Sequence, residues 1–126
     1  MKETVHTDAA PAAVGAYSQA TTNGDLVFTA GQIALTPDGD LLDDASIAEQ
    51  TEQVLDNLVA VLDEAGAEPA DVLKTTVFLA DIDDFDEMNE TYADYFEESP
   101  PARSAVQAGA LPKGADVEIE AVAVVE

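Results

Sequence analysis

The chain has 126 residues, with 27 Asp and Glu against four Lys and Arg and a single His, giving a formal charge of −23. That balance excludes nucleic-acid recognition, which rests on Lys and Arg contacts to phosphate. The lack of Cys excludes disulfides, thiolate nucleophiles and thiolate metal sites, and His6 alone cannot build a His-based triad or zinc set.

Apolar residues make up 47% of the chain, a globular composition in spite of the charge. The length suits one domain over residues 1–126, able to bury roughly two-thirds of its unfolded surface. No apolar run approaches the ~20 residues of a membrane span, and no charged-then-apolar leader opens the chain, so a cytoplasmic location away from membranes is expected. The acids run through nearly every segment instead of forming a tail. Their mutual repulsion is severe in dilute salt and relieved near 1 M, where the Debye length falls to about 3 Å. We read the charge as adaptation to a salty cytoplasm, with an acidic partner- or cation-binding surface as the alternative.

Residues 2–6 (KETVH) alternate weakly, as in a short strand. The small-residue stretch AAPAAVGAYSQA is a loop broken by Pro11 and Gly15; its one large side chain, Tyr17, either anchors the loop on the core or lines a pocket. Asn23-Gly24 is a turn signal ahead of Leu26–Ala34 (LVFTAGQIA), a buried strand interrupted by Gly31. A Gly there marks a bulge or the close approach of another body, either a strand or a ligand. Asp38-Gly39 makes the next turn, in a segment resembling a hairpin tip that lacks the oxygen-ligand spacing of a calcium loop.

Ser46 and Glu49 form a capping box that opens the clearest helix. Ile47, Thr51, Val54, Leu55, Leu58, Val61, Leu62 and Ala65 recur at helical spacing, and Gly66 ends the helix. This stripe is core, built to lie on a sheet. Leu73–Ala80 (LKTTVFLA) is a β-branched and aromatic strand. A second helix, capped by Asp83 or Asp84, carries Phe85, Met88, Tyr92 and Phe96 on one stripe, with Asn89 beside it. Ser99-Pro100-Pro101 ends that helix, and the strands Ala102–Ala108 and Val117–Val125 follow.

Arg103 is the only arginine, and Glu118 and Glu120 stand at strand spacing fifteen residues beyond it. Taken alone this reads as a salt bridge, weak if it is on the surface. Alternation places Arg103, Ala105 and Gln107 on one face of their strand and Glu118, Glu120, Val122 and Val124 on one face of theirs. Paired as a hairpin, the two strands would bring Arg103 and both carboxylates to the sheet face away from the helices. A face mixing Val with Arg and Glu suits a partner subunit better than bare solvent.

The phrases APAAVGAYSQA, FTAGQIAL, DVLKTTVFLADIDDF, NETYADYF, PPARSAV and LPKGADVEIEAVAV occur in order over almost the whole chain. Together they resemble the Rid (YjgF-type) family, and within it the RidA branch of enamine/imine deaminases. AGQI alone is weak; PARS followed at fifteen residues by VEIEA is specific. The resemblance implies a chorismate-mutase-like α/β (α+β) fold, a six-stranded mixed sheet with two helices on one face in the order βββαβαββ. It also implies a homotrimer with sites in the clefts between subunits. The implied reaction needs no cofactor and no metal: hydrolysis of small 2-imino acids such as 2-iminopropanoate and 2-iminobutanoate to 2-oxo acids and ammonia.

By the same resemblance Arg103 matches the carboxylate-binding residue and Glu118 the residue that handles the attacking water. Tyr17, Gly31 and Asn89 match the pocket lining. Glu120 is the structural neighbour and a possible further site residue, and Ala105, which stands where many members carry Cys, matches a substrate-binding wall of the pocket. The chemistry agrees with the residue types: a planar guanidinium holds a carboxylate through two parallel hydrogen bonds, and a carboxylate can orient water and manage its proton. Other readings are a non-catalytic sensor of small carboxylates, or a chaperone-like partner protein, on the same fold. An RNA-cleaving role conflicts with the charge.

Overall fold

The computed structural model describes residues 1–126 and contains β1 (Glu3–Val5), β2 (Ala20–Thr22), β3 (Leu26–Thr29), α1 (Ile47–Ala65), β4 (Val72–Leu79), α2 (Phe85–Tyr95), β5 (Ala102–Gln107) and β6 (Val117–Val124). One-turn 3-10 helices lie at Pro69–Asp71, Ile82–Asp84 and Pro112–Gly114. The strands make one six-stranded sheet in the order β1-β2-β3-β6-β4-β5. Only β4 and β5 run parallel, and α2 supplies the crossover that a parallel pair needs. The expected mixed α+β architecture is therefore present.

The capping box forms as expected: Ser46 Oγ accepts from Glu49 N at 3.1 Å, and Glu49 Oε1 accepts from Ser46 N at 3.3 Å. Gly66 closes α1 with φ 90°, a left-handed conformation that costs glycine little. Val54, Leu55, Leu58, Val61 and Leu62 bury their side chains against β4 and β6. The start of α2 differs from expectation. Asp84 stands at the cap position but makes no capping hydrogen bond; Asp81 instead accepts from Asp83 N at 2.9 Å and caps the preceding 3-10 turn. Asp84 already has helical φ, −82°, so it lacks the extended backbone from which an N-cap side chain reaches back.

The core fills the space between the sheet and both helices, with Leu55, Leu79, Met88 and Ile119 fully buried. Phe28 and Val106 remain half-exposed on the opposite, uncovered sheet face, at 50% and 46%. No helix is long and apolar enough to cross a membrane.

The expected hairpin of the last two strands does not form. β6 inserts between β3 and β4, and β5 takes the outer edge of β4. Thr75 is in register with Arg103 on one side and Ala121 on the other. Arg103 therefore shares the helix-covered face with buried Thr75, while Glu118 and Glu120, opposite Phe78 and Thr76, belong to the uncovered face. Alternation fixes which residues of one strand share a face. The phase between strands depends on register and neighbour, which alternation leaves open.

Candidate functional site

Two cavities hold most of the candidate residues. The first, about 600 Å3, is walled by Pro11, Ala12, Val14 and Tyr17 of the N-terminal loop, by Ala30–Ile33 and Leu35, and by Pro112, Lys113 and Glu118. Gln19 holds the loop in place. Its Oε1 accepts from Thr7 N at 2.7 Å, and its Nε2 donates to the carbonyls of Thr7 and Pro11 at 3.0 and 2.8 Å. Asn57 on α1 fixes the opposite wall by donating to the carbonyls of Ile33 and Leu35 at 3.3 and 2.8 Å.

Gly31 sits in a bulge. Phe28 pairs with Val122 and Gln32 with Ile119, so one strand takes four steps where its partner takes three. Thr29 Oγ1 bridges the gap, accepting from Ala121 N at 2.9 Å. The body that comes close is the Glu118 side chain of β6: a Cβ on residue 31 would lie 2.5 Å from Glu118 Oε2 and 2.8 Å from its carboxyl carbon. Burial pushes the Glu118 carboxyl above the usual range, and the negative charge of Glu120 adds to the shift. Glu120 itself is exposed and lies outside the cavity.

The second cavity, about 320 Å3, lies on the other side of the sheet between α2 and β5, lined by Asn89, Tyr92, Ala93, Phe96, Pro100, Pro101 and Arg103. Arg103 Nη1 donates to Asn89 Oδ1 at 2.6 Å. Its guanidinium carbon lies 4.8 Å from the Tyr92 ring centroid and 5.1 Å from that of Phe85. No carboxylate pairs with it, and the one contact between a basic and an acidic side chain in the chain is the hydrogen bond of His6 with Asp8. The salt bridge that spacing alone favoured is absent.

The fold thus gathers Tyr17, Gly31 and Glu118 into one cavity and Asn89 with Arg103 into the other. Ala105 shares the Arg103 face but packs against the core and lines neither cavity. Tyr17 is 56% exposed, so of the two readings left open for it the cavity wall applies and the core anchor does not.

Sequence reasoning missed Gln19, Asn57 and Lys113. Asn57 left a trace: it lies seven residues from Gln50, on the buried stripe of α1, where a polar side chain needs a partner. Lys113 takes a left-handed φ of 57°, unusual for a residue with a Cβ, and nothing in the chain signalled it. No three His, Asp or Glu side chains converge to hold a metal ion.

Residues 7–125 match the family model described as Endoribonuclease L-PSP. The chain belongs to this family, the Rid or YjgF family. Among the relatives of this Rid-family chain, a RutC family protein of Pyrococcus abyssi is 48% identical over 97% of this chain and 96% of its own length. The 2-iminobutanoate/2-iminopropanoate deaminase of Rattus norvegicus is 46% identical over 98% of this chain and 90% of its own. The crystal structure of E. coli TdcF with bound serine superposes with a TM-score of 0.93 at 38% identity, covering 98% of this Rid-family chain and 99% of that one.

Proposed function

We propose that this protein hydrolyses small 2-imino acids to 2-oxo acids and ammonia, as a homotrimer in the cytoplasm, without a cofactor. One observation carries the reading. In a chain with 27 acids, the only arginine has no carboxylate partner and is held by aromatic rings and a neutral amide. A guanidinium kept unpaired in that surplus of anions is suited to an anion brought from outside. The family membership and the rat relative named as an imine deaminase support the choice of substrate. A serine-bound relative agrees with a ligand of amino-acid size.

Within one subunit the clamp and the Glu118 carboxylate face opposite sides of the sheet. The reading therefore takes Arg103 and Asn89 from one copy and Tyr17, Gly31 and Glu118 from its neighbour. The half-exposed Phe28 and Val106 on the uncovered face support such packing.

The reaction follows from these parts. Arg103 holds the substrate carboxylate, which fixes the adjacent imine carbon beside Glu118. Glu118 accepts a proton as water adds to that carbon, forming a C–O bond while the C=N electron pair moves to nitrogen. The same carboxyl returns that proton to nitrogen, giving a carbinolamine; it then takes the hydroxyl proton and delivers it to the amino group, so that the C–N bond breaks and ammonia leaves as C=O forms. A carboxyl with a raised pKa suits both accepting and donating. Glu120, exposed and outside the cavity, acts on Glu118 only through its charge. Ala105 packs against the core beside Arg103, and with no Cys in the chain no thiol takes part. A ribonuclease role is not proposed, because a chain of charge −23 repels RNA.

The test is the clearance of freshly generated 2-iminopropanoate in high-salt buffer. The wild type should accelerate it, and Arg103→Ala should lose about 100-fold or more in kcat/KM. Equal clearance by both would refute the clamp, and saturable binding without turnover would make the protein a small-carboxylate sensor.

A further inference from the structure

Phe85, Asn89 and Tyr92 stand at i, i+4 and i+7 on α2, and all three meet Arg103. Asn89 fixes one edge of the guanidinium by a single hydrogen bond, which sets a point but not a plane. The guanidinium carbon also stands over the faces of both rings. Tyr92 is itself immobile: it is 4% exposed, its Oη is 2.6 Å from Thr75 Oγ1, and its ring centroid is 4.7 Å from that of Phe96. Thr75 is the register partner of Arg103, so this bond ties α2 to β4 directly beside the clamp.

We infer that Phe85 and Tyr92 are positioning residues for substrate binding: their ring faces hold the Arg103 guanidinium flat, so that the edge not bonded to Asn89 meets the incoming carboxylate without rearrangement. The inference rests on the clamp role proposed above for Arg103. Ring faces attract a cation through their quadrupole and bring no net negative charge. The substrate carboxylate thus has no internal competitor, which a Glu or Asp at either position would provide. Preorganisation of this kind lowers the ordering cost of binding and shows in affinity.

The test is calorimetric binding of 2-oxobutanoate, a product of the proposed reaction, with steady-state kinetics on 2-iminobutanoate. Phe85→Leu keeps an apolar side chain but removes the ring. It is expected to raise Kd and KM together about three- to tenfold with kcat within about twofold. Phe85→Tyr restores the ring face and should return both constants to wild-type values. Tyr92→Phe keeps the ring but frees it from Thr75, and should raise Kd by a smaller factor, about twofold.

A merely structural role would lower kcat and thermal stability instead and would not be rescued selectively by Tyr. Unchanged Kd in both Phe85→Leu and Tyr92→Phe overturns the inference, as does an equal rise in Phe85→Leu and Phe85→Tyr. If Phe85→Leu does not fold, the Kd of Tyr92→Phe decides alone. Arg103→Ala separates the two levels: if it too leaves Kd unchanged, the clamp reading itself fails, whereas loss in Arg103→Ala with none in the ring variants sinks only the positioning role.

Discussion

Arg103 and Glu118 lie on opposite faces of one sheet, with β4 between the strands that carry them. A molecule small enough to be an imino acid cannot touch both within a subunit. If the two act together, the site is completed by a neighbour.

Complementation follows from that separation. Arg103→Ala and Glu118→Gln should each be inactive alone, yet mixing them under conditions of subunit exchange should restore roughly a quarter of wild-type activity, because a mixed ring of three has one intact seam. Activity that stays at the level of the separate variants would show that each site is built within one chain.

Gly31 gives a second expectation. Substitution by Ala places a methyl group 2.5 Å from Glu118 Oε2, so the carboxyl must swing away from its seat. The atom that has to give is a side-chain end, so the fold should survive, while kcat falls about 10- to 100-fold and KM changes little. A crystal structure of Gly31→Ala with Glu118 unmoved, or an unchanged kcat, would contradict this.

The raised pKa of Glu118 makes a third. Its carboxylate form is the one that accepts a proton, so activity should rise with pH through a value above the ordinary glutamate range, and Glu120→Gln should move that limb to lower pH by removing the second cause. Stability runs the other way. A carboxyl whose pKa is raised on folding favours the native state while protonated, below its unfolded pKa, and loses that contribution as pH rises through the folded value. Glu118→Gln should therefore melt slightly higher than wild type at pH 7, with the difference vanishing towards about pH 4. Melting curves across pH settle it; a variant less stable at pH 7 would refute the burial argument.

Salt provides a fourth. With 27 acids and no ion pair to any Lys or Arg, the native state carries its repulsion uncompensated. Raising KCl from about 0.1 M to 2 M should increase Tm by on the order of 10 °C, as the screening length drops from about 10 Å to below 3 Å. A flat or falling Tm would remove the proposed adaptation to high salt.

Local signals in the sequence carried much of this architecture. The Ser46–Glu49 box, the α1 stripe and Gly66 set one helix within a residue, because capping, periodicity and a left-handed terminus act over a few neighbouring positions. The interruption at Gly31 was visible as a glycine inside a strand, and the family was legible from its phrases. What the chain alone did not fix was everything that depends on which strand lies beside which. Glu118 and Glu120 lie on the expected uncovered face, but the pairing of β5 with β4 instead of β6 put Arg103 under α2, away from them, because register is a property of pairing and not of alternation. The glycine's partner turned out to be a carboxylate more than eighty residues away in the chain, and the arginine's partners two rings and an amide on one helix face. Sequence named these residues; only the tertiary structure decided which of them meet.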